Sequence, residues 1–369
     1  YMKIIFICGR LEPGKDGVGD YTRRLACELI RKGTEVGVIA LNDAVNTVCF
    51  ETQESEGTPL KALRIPNTYS KCKQAKLAKR WIEEFNPEWL SLQFVPYSFN
   101  RKGIPLILPW QLKKMGGTRH WHIMFHELWL GLRDNDSLKF KIIGSLQKMV
   151  VKAFTHVLKV KIVHTHTTFY LNQLRELNLT PKYLPIFSNI PFAKKQVDEF
   201  KVSSDTKNFI IFGTIHPKAP VEDFALEMSN YFKKNRNLDC CLVLAGKSGF
   251  EQNRWVKEFE KRNINVIVLG ELSSEAVSHA LQDASFGITS NPMFVVEKSG
   301  TVAAMREHNL PIIVVAEKTS PKNNVILDLG SDLLEYQSGN FEKLIEEDYG
   351  SYINKGLEVI AIQFLKDLH

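Results

Sequence analysis

The sequence has 369 residues, of which 44% are hydrophobic and 24% charged, the composition of an ordinary globular protein. No apolar run reaches the roughly 18 residues of a membrane-spanning helix, so a helical membrane span is not predicted. The formal net charge of +7 is uneven, because residues 61–170 hold 19 Lys and Arg against 6 Asp and Glu, a net +13 that leaves −6 for the rest.

In the first half of the chain, short apolar strands alternate with amphipathic helices. Strands are predicted at 2–8, 35–41, 88–94, 120–126 and 156–165. Helices are predicted at 21–33, 71–86, 103–115 and 136–154. This alternation is typical of a parallel sheet that is covered by helices on both faces.

A proline-rich segment, residues 182–192, separates this series from a second one of the same kind. The second series has strands at 208–214, 240–246, 265–270, 285–290 and 311–316, and helices at 219–234, 250–262, 273–283 and 300–308. An amphipathic helix is predicted within residues 350–368.

The predicted fold class is therefore α/β, with two tandem doubly wound Rossmann-like domains, an interdomain cleft and a C-terminal closing helix. A length of 369 residues also exceeds one typical core. We expect domains at 1–187 and 188–345, with residues 346–369 packing back toward the first domain.

The cysteines and the start of the chain bear on location. Six cysteines form no CxxC pair and no regular framework, which is typical of reduced thiols in a cytoplasmic protein. The sequence opens directly on a strand, without a signal-peptide pattern, so we expect a cytoplasmic location.

The basic residues 61–170 predict an anionic partner, because clustered lysines attract negative charge over a long range. Phospholipid headgroups, a diphosphate-linked lipid and nucleic acid would all satisfy this condition, and a solvated lysine-rich surface is the alternative. Nucleic acid is the partner we expect least, since the aromatic residues lack the pattern of a single-strand stacking platform.

Ligands of parallel sheets bind beyond the carboxyl ends of the strands, so the loops at that edge hold the candidate site residues. Gly17, Val18 and Gly19 lie at the start of the first helix, where glycines let a ligand approach the backbone and the helix N-terminus favours an anion. The loop is too long for a GxGxxG dinucleotide motif. A flexible loop before a plain helix start is the alternative.

His126 ends the fourth predicted strand, where it could donate hydrogen bonds or transfer protons near neutral pH. A structural histidine is the alternative. His164 and His166 lack an evident third ligand, and the DND motif at 134–136 lies where carboxylates cap a helix. We therefore expect no metal ion and no other cofactor.

The second half carries small and polar residues after four consecutive strands. Thr214 and Lys218 follow the first strand, Lys247 the second and Leu272 the third. After the fourth, an apolar run breaks at the segment EKSGT, residues 297–301, where a helix is predicted to begin. Lysines and free backbone N–H groups along one sheet edge would form a pocket for a nucleoside diphosphate.

These features together resemble the GT-B glycosyltransferases, specifically their retaining family four, over nearly the whole chain. GVGDYTRRLACELIRKGTEVGVIA is similar to that family's opening, PIFSNIP to its interdomain segment and FGTIHPKAPVEDFALEM to its phosphate segment. The strongest match is VIVLGELSSEAVSHALQDASFGITSNPMFVVEKSGTVAAMREHNLPIIVV, which resembles the family's segment with a Glu, a Gly three residues later and an Ala-Met helix.

The resemblance implies roles for the residues of the second half. Lys218 would contact the donor diphosphate, and Glu297 would bind hydroxyls of the donor sugar or the ribose. The backbone of Ser299, Gly300 and Thr301 would take the phosphates. Leu272 or its backbone would face the base.

In the first half, the resemblance places His126 against the transferred sugar and residues 17–19 on the acceptor or phosphate side. The sequence also departs from the family pattern. Thr214 stands where the phosphate segment has an Arg, and Met305 stands where a second Glu is expected, eight residues after the first. Lys298 would supply the charge that the missing Arg would have given.

The implied activity is transfer of a sugar from a nucleoside-diphosphate sugar to a hydroxyl of a saccharide or lipid-linked acceptor, with retention and without a metal. Such a reaction would serve polysaccharide biosynthesis, on the inner face of a membrane that the basic region binds peripherally. Two alternatives stay open: a GT-B enzyme of other chemistry, such as a nucleotide-sugar epimerase, and a non-catalytic binding protein.

Overall fold

A computed structural model of the chain describes residues 2–133, 136–194, 206–235, 238–319, 329–347 and 356–369. The chain divides into two compact units. The first contains the described residues of Tyr1–Pro185 and Leu357–His369, and the second those of Ile186–Ser320 and Ile326–Gly356. Within the described residues, each helix is too short or too polar to cross a bilayer.

The first unit is built on an eight-stranded sheet of order β3-β4-β2-β1-β5-β6-β7-β8. All neighbouring strands are parallel except β3, which runs antiparallel to β4 at one edge. The strands are β1 (Lys3–Cys8), β2 (Glu35–Asp43), β3 (Cys49–Ser55), β4 (Thr58–Pro66), β5 (Trp89–Phe94), β6 (His120–Phe125), β7 (Ile162–Thr165) and β8 (Lys182–Tyr183).

Seven helices in the described part of the first unit accompany this sheet. They are α1 (Gly17–Arg31), α2 (Lys71–Phe85), α3 (Pro96–Phe99), α4 (Leu108–Gly116), α5 (Leu138–Leu158), α6 (Thr168–Arg175) and α12 (Leu357–Leu368). Side chains cap several helix starts, as Asp16 does for α1, Ser70 for α2 and Ser137 for α5.

The central strand β1 is buried on both faces, with Ile4 to Cys8 fully inaccessible to solvent. Helix α12, near the end of the chain, completes one of these faces. Its Phe364 is fully buried and stacks on Phe6 of β1, with ring centroids 5.7 Å apart. The last helix is therefore part of the core of the first unit.

The second unit has a six-stranded, all-parallel sheet of order β11-β10-β9-β12-β13-β14. Its strands are β9 (Thr206–Phe212), β10 (Asp239–Ala245), β11 (Asn265–Gly270), β12 (Phe286–Thr289), β13 (Ile312–Val314) and β14 (Leu333–Glu335). Its helices are α7 (Val221–Lys234), α8 (Gln252–Glu260), α9 (Ser274–Gln282), α10 (Gly300–Glu307) and α11 (Phe341–Glu346), and a 3-10 helix covers Met293–Lys298.

Two apolar clusters lie on opposite faces of this second sheet. Along β9, Phe209 and Ile211 belong to one cluster and Ile210 to the other, because successive side chains of a strand point to opposite faces. Both clusters are buried, as expected for a parallel sheet with helices on either side. The predicted α/β class with two doubly wound sheets is confirmed.

Helix α10 is fixed to the rest of the second unit by three buried contacts. Met305 is fully buried, and a Cβ built on Gly287 of β12 would lie 2.6 Å from its sulfur. The Arg306 guanidinium donates to both carboxylate oxygens of Asp332, at 2.7 and 3.0 Å. His308 is hydrogen-bonded to Ser278 of α9 at 2.7 Å.

Some of the predicted boundaries are wrong. Residues 156–158, expected at the start of a strand, are the last turn of α5, and β7 begins at Ile162. Lys159 ends the helix in a left-handed conformation, at a position where glycine or asparagine is usual. The sequence 156–165 therefore carries no recognisable signal for the end of the helix. The helix predicted at 103–115 begins only at Leu108.

The hairpin of β3 and β4 was not predicted. Its two-residue loop, Glu56-Gly57, has positive φ at both positions, as a type I′ turn requires. A Glu at the first of these positions is unusual, which hides the turn in the sequence.

The contact between Gly287 and Met305 can be tested by substitution. Gly287→Ala should destabilise the protein by about 1–3 kcal/mol, because the new methyl group overpacks a buried site. Met305→Ala should cost about 2–4 kcal/mol through the cavity it leaves. The double variant should lose less than the sum, since the methyl group of one change occupies space vacated by the other. Urea unfolding followed by fluorescence measures all three.

Gly300→Ala is the matched control, because a Cβ added at Gly300 meets no atom within 4 Å. If Gly287→Ala unfolds at the same urea concentration as Gly300→Ala, the contact between Met305 and Gly287 does not constrain β12.

Candidate functional site

Three glycines end neighbouring strands at the carboxyl edge of the second sheet. Gly213 follows β9, Gly246 follows β10 and Gly270 ends β11, with φ angles of +85°, +82° and +67°. The N–H of Gly213 donates to Ala245 O at 2.8 Å, and that of Gly246 to Gly270 O at 2.6 Å. Each glycine thus turns the chain away directly after the last ladder hydrogen bond, in a conformation that side chains disfavour.

The first turn of α10 lies against this edge. Ser299 caps the helix, and its Oγ accepts from Val302 N at 3.4 Å and shares a hydrogen bond with Thr301 Oγ1 at 3.0 Å. A Cβ on Gly213 would approach Thr301 Cγ2 to 2.8 Å. The loop after β9 and the start of α10 are therefore in direct contact, and a side chain at position 213 would separate them.

Asn291 links the two loops through its amide. Its Nδ2 donates to Ser299 Oγ at 3.1 Å and to Thr289 Oγ1 at 2.9 Å, while its Oδ1 accepts from His216 Nε2 at 3.1 Å. The N–H of His216 also donates to Ser290 Oγ at 2.7 Å. This network fixes the β9 loop, the end of β12 and the α10 N-terminus as one polar edge.

Glu297 and Lys298 end the 3-10 helix that leads into α10. Glu297 is 7% exposed, whereas Lys298 is half-buried. The apolar neighbours Phe294 and Val296 are buried and hold this segment in the core. A carboxyl group is thus held within one turn of a helix N-terminus.

The two candidate lysines lie farther out and are paired with carboxylates. Lys218, in a left-handed conformation with φ +67°, contacts Glu317 at 3.1 Å beside a groove of about 410 Å³ after β13 and β14. Lys247 contacts Glu271 at 3.2 Å. Both lysine side chains are about 70% exposed, so these pairs contribute little to stability and can exchange partners.

Thr214 and Leu272 complete the predicted set in the second unit. Thr214 is exposed, and its Oγ1 donates to Lys247 O at 3.5 Å. Leu272 is half-buried against the apolar cluster that contains Val296 and Met305. Met305 itself belongs to that core, so the position expected to hold a second Glu contributes no carboxylate.

In the first unit, residues 17–19 form the first turn of α1 as predicted. The Asp16 carboxylate accepts from Gly19 N at 2.8 Å, and a Cβ on Gly19 would meet Arg10 O at 2.7 Å. Gly17 has open space around it. The helix N-terminus is therefore already capped by a carboxylate, which reduces its attraction for an anion.

His126 lies directly after β6 and is 7% exposed. Its Nε2 is 2.9 Å from Gln93 Oε1, and its Nδ1 is 2.9 Å from His166 Nε2. The edge of the Tyr21 ring of α1 packs on it at 5.0 Å. Both ring nitrogens thus have hydrogen-bonding partners inside the first unit, whereas the sequence indicated no partner for His126.

His164 and His166, considered in the sequence as metal ligands, bond to protein groups with both ring nitrogens. His164 contacts His122 at 3.0 Å and Asp367 at 3.0 Å, and His166 contacts His126 and Leu184 O at 2.9 Å each. Burial lowers the pKa of both histidines to about 4, despite hydrogen bonds to Asp367 and Leu184 O that act in the opposite direction.

The DND motif lies partly outside the described residues, which omit Asp134 and Asn135. Asp136 accepts from Arg133 N at 3.0 Å. Helix α5 is capped by Ser137, whose Oγ accepts from Phe140 N at 3.3 Å. The prediction that the motif caps the helix therefore missed the capping residue by one position.

Sequence reasoning missed Asn291, Gln93 and Asp367, which connect the candidate residues to one another. Asn291 follows a strand and could have been found by the same positional argument as Thr214. Gln93 and Asp367 meet histidines only through the pairing of β5, β6 and β7 and through the docking of α12, which no local signal shows.

No protein-family model and no curated protein matches the sequence. A glycosyltransferase from Rickettsia africae is similar in structure, with a TM-score of 0.60 and 13% identity over 99% of this chain and 97% of that one. The fold is GT-B.

Two other GT-B structures were solved with ligands. HepE of Anabaena, in complex with UDP and glucose, has a TM-score of 0.54 and 13% identity, covering 98% of this chain and 95% of its own. UDP-GlcNAc 2-epimerase from Neisseria meningitidis, bound to UDP-GlcNAc, has a TM-score of 0.55 and 11% identity, covering 100% and 99%. At these identities the similarity establishes the fold, which transferases and epimerases share.

The buried histidines predict that acid destabilises the protein. A histidine with a folded pKa of about 4 and an unfolded pKa near 6.5 binds protons more readily when unfolded, so its contribution is complete above 6.5 and is lost as the pH falls toward 4. From pH 7 to 5, each such histidine should cost about 2 kcal/mol. In His166→Gln, this loss of unfolding free energy should shrink by about that amount.

The matched control is His156→Gln, which changes an exposed histidine of α5. Urea unfolding at pH 7 and pH 5 measures both variants against the parent protein. An equal pH dependence in His166→Gln and the parent would show that His166 is not held neutral by burial.

Proposed function

We propose that this GT-B protein is a glycosyltransferase that moves a sugar from a nucleoside-diphosphate sugar to a hydroxyl acceptor, as in the retaining family four. The observation that supports this most is the carboxyl edge of the second sheet, where Gly213 meets the first turn of α10 and Glu297 lies one turn ahead of it. The first N–H groups of a helix have no intrahelical partner and favour an anion.

In this proposal the donor diphosphate binds the backbone of Ser299, Gly300 and Thr301. Gly213 leaves the room that a phosphate needs beside Thr301, because no Cβ occupies that approach. Glu297 accepts hydrogen bonds from hydroxyl groups of the donor sugar or the ribose. Lys298, half-buried beside it, adds a positive charge to the diphosphate site.

The outer residues complete the donor site in the same proposal. Lys218 and Lys247 exchange their surface carboxylates for phosphate oxygens when the donor binds, which costs little because both pairs are solvent-exposed. Thr214 lies between these lysines and the Gly213 turn, and Leu272 presents an apolar surface to the base.

The proposed chemistry needs no metal. Charge accumulates on the leaving diphosphate in the transition state, and fixed N–H groups and lysines stabilise it without reorganisation. A retaining transfer in which the leaving phosphate helps to deprotonate the acceptor hydroxyl requires no carboxylate pair across the reaction centre. This agrees with the burial of Met305, which leaves Glu297 as the carboxylate of this segment.

For the first unit we propose that His126 and residues 17–19 line the acceptor side. Because both His126 ring nitrogens already have buried partners, its contribution is to shape that side rather than to transfer a proton. The Asp16 cap at Gly19 would favour a neutral hydroxyl acceptor over a second phosphate.

A nucleotide-sugar epimerase is the second candidate, because an epimerase bound to UDP-GlcNAc shares the fold over almost its full length. Incubation with a nucleotide sugar, with and without saccharide acceptors, separates the two. An epimerase changes the sugar without an acceptor, whereas a transferase forms a new glycosidic bond only with one. UDP sugars come first, since HepE and the epimerase were both seen with a uridine nucleotide.

Thermal unfolding in the presence of UDP-, GDP-, ADP- and CMP-sugars tests the donor site. A ligand that binds only the native state raises the unfolding temperature, by an amount equivalent to about 2.7 kcal/mol at a hundred times its Kd. Glu297→Gln should weaken binding of the sugar nucleotide that stabilises the parent protein by about 10- to 100-fold, because hydrogen bonds to a charged group contribute about 1.5–3 kcal/mol.

Glu260→Gln, at an exposed position at the end of α8, is the matched control and should bind as the parent does. No stabilisation by any of the four nucleotide classes would refute the donor-site proposal. Unchanged binding and transfer by Glu297→Gln would refute the role of Glu297 alone.

We also propose a partner for the basic half of the chain, an anionic bilayer that carries a lipid-linked acceptor. Helices α4 and α5 pack against each other and expose bulky apolar side chains. The α4–α5 surface is defined by Leu106, Ile107, Trp110, Leu138, Phe140, Ile142 and Met149, which are 42–74% exposed. Lysines lie among them, at 113, 114, 139, 141 and 148.

Apolar side chains interleaved with lysines are the composition of a surface that inserts into the headgroup region. Beside Ile104–Leu108 the first unit also has an apolar pocket of about 280 Å³, lined in part by Leu41, Phe99 and Met115. In this proposal the pocket accommodates part of an acyl or prenyl chain.

Sedimentation with phosphatidylcholine vesicles that contain phosphatidylglycerol tests this proposal. Replacing Ile107 and Trp110 by Ser together should lower vesicle binding at least tenfold, because each buried side chain of this size contributes about 1.5–3 kcal/mol. Phe250→Ser, which removes an apolar side chain that is 78% exposed on the second unit, should bind as the parent does. Sedimentation that is the same with purely zwitterionic vesicles would contradict the role of the lysines.

A further inference from the structure

A buried chain of hydrogen-bonded groups lies on one face of the sheet of the first unit. We call it the histidine chain, and its members in order are Leu184 O, His166, His126, Gln93, Ser91, His122, His164 and Asp367. The seven successive contacts measure 2.9, 2.9, 2.9, 2.8, 2.7, 3.0 and 3.0 Å. Each is a normal hydrogen-bond distance, so each requires one proton.

The histidine chain runs along β5, β6 and β7, from the groove at the strand starts that Asp367 borders to the carboxyl ends that His126 and His166 follow. Its members sit at alternate positions of β5, β6 and β7, which places them on one face. Tyr21 of α1 and Phe364 of α12 cover this face. Asp367 borders a groove of about 730 Å³ that also contains Met2 and His120, at the strand starts, whereas His126 follows the end of β6.

Both ends of the histidine chain can only accept protons. Leu184 contributes a carbonyl oxygen. At the other end, burial raises the pKa of Asp367, but hydrogen bonds from Gln363, Lys182 and His164 outweigh this effect and lower it, so the carboxylate is ionised. Lys182 Nζ donates to Asp367 Oδ1 at 2.6 Å, and Oδ2 accepts from both His164 Nε2 at 3.0 Å and Gln363 Nε2 at 2.9 Å.

Counting protons then gives a mismatch. A neutral histidine, a serine hydroxyl and a glutamine amide each pass one proton along a chain of this kind, donating on one side and accepting on the other. Six interior groups therefore supply six protons, while the seven contacts need seven. The count does not depend on which way the Gln93 amide points.

The amide orientation locates the missing proton. Gln93 Nε2 donates to Ser91 Oγ, so Oε1 faces His126 and must receive a proton from it. The histidine that donates on both sides is then His126 or His166. Burial lowers the pKa of His166 to about 4, and His166 is 1% exposed against 7% for His126. His126 is therefore the doubly protonated ring.

We propose that the histidine chain holds one proton more than neutral histidines supply, that His126 carries it as an imidazolium, and that Asp367 on α12 sets this charge. Gln93 from β5, His166 from the end of β7 and Tyr21 from α1 are among the groups that face His126, and Glu127 follows it in sequence. Burial raises the pKa of Tyr21, so its hydroxyl stays neutral. Asp367 is thus a positioning residue for a cation at the opposite end of the strands.

The substitution Asp367→Asn tests this proposal, because it replaces a group that can only accept a proton at one end of the histidine chain by an amide that can donate one. The new amide oxygen keeps Lys182, and its Nδ2 replaces the carboxylate oxygen that faces His164. The Gln363 amide, which donates to that oxygen in the parent protein, turns over so that its own oxygen accepts from Nδ2. The amide of residue 367 then donates the seventh proton itself, and His126 becomes neutral. Every hydrogen bond of the histidine chain then points the same way, from residue 367 toward Leu184 O. His122 and His164 therefore change from the Nε2–H to the Nδ1–H tautomer, and the Gln93 amide turns over.

Nuclear magnetic resonance of ¹⁵N-labelled histidine rings reports these states directly. In the parent protein at pH 7 we expect the doubly protonated pattern at His126 and Nε2–H tautomers at His122 and His164. In Asp367→Asn we expect four singly protonated rings with Nδ1–H at His122 and His164. Glu358→Gln, which removes a carboxylate of the same helix that contacts Lys32 at the surface, should leave the parent pattern unchanged.

The parent spectrum decides the proton count even if the variant fails to fold. Four singly protonated rings in the parent would overturn the proposal, and a doubly protonated ring at His122, His164 or His166 would overturn its assignment to His126. Parent tautomers in folded Asp367→Asn would show that Asp367 does not set the charge. None of these readings needs a sugar nucleotide, so they are independent of the proposed transferase activity.

Discussion

Burial of both faces of a parallel sheet is the constraint on which the rest of this structure depends. Strands such as β1 and β9 have no solvated face, so their side chains form the core and cannot also bind a ligand. Chemistry is left to the places where strands end. In the second unit these places are the glycine turns after β9, β10 and β11, together with the segment that leads into α10.

The same constraint explains how α10 is held at that edge. A helix N-terminus attracts an anion only where the helix cannot move away, and here Met305, Arg306 and His308 anchor the far turns in the core. Met305 serves packing at the position where the resemblance in sequence predicted a second Glu.

Much of the fold could be predicted, because alternating apolar strands and helices report a parallel sheet directly. The placement of residues 297–301 at a strand-to-helix junction followed from the same pattern. The β3–β4 hairpin could not be predicted from Glu56-Gly57, since its first turn residue is atypical. The partners of His126 and His164 could not be predicted either. Gln93 and His166 reach His126 only through strand register, and Asp367 reaches His164 from a helix about 200 residues further along the chain.

Docking of α12 on the first sheet also has a consequence for how the protein is made. Phe364 and Asp367 complete the core around Phe6 and His164, yet they are synthesised after the whole second unit. The first unit, although most of it precedes the second on the ribosome, cannot close until residues 357–368 have been synthesised. Until then the histidine chain lacks the carboxylate of Asp367. The first unit is thus begun before the second but completed after it.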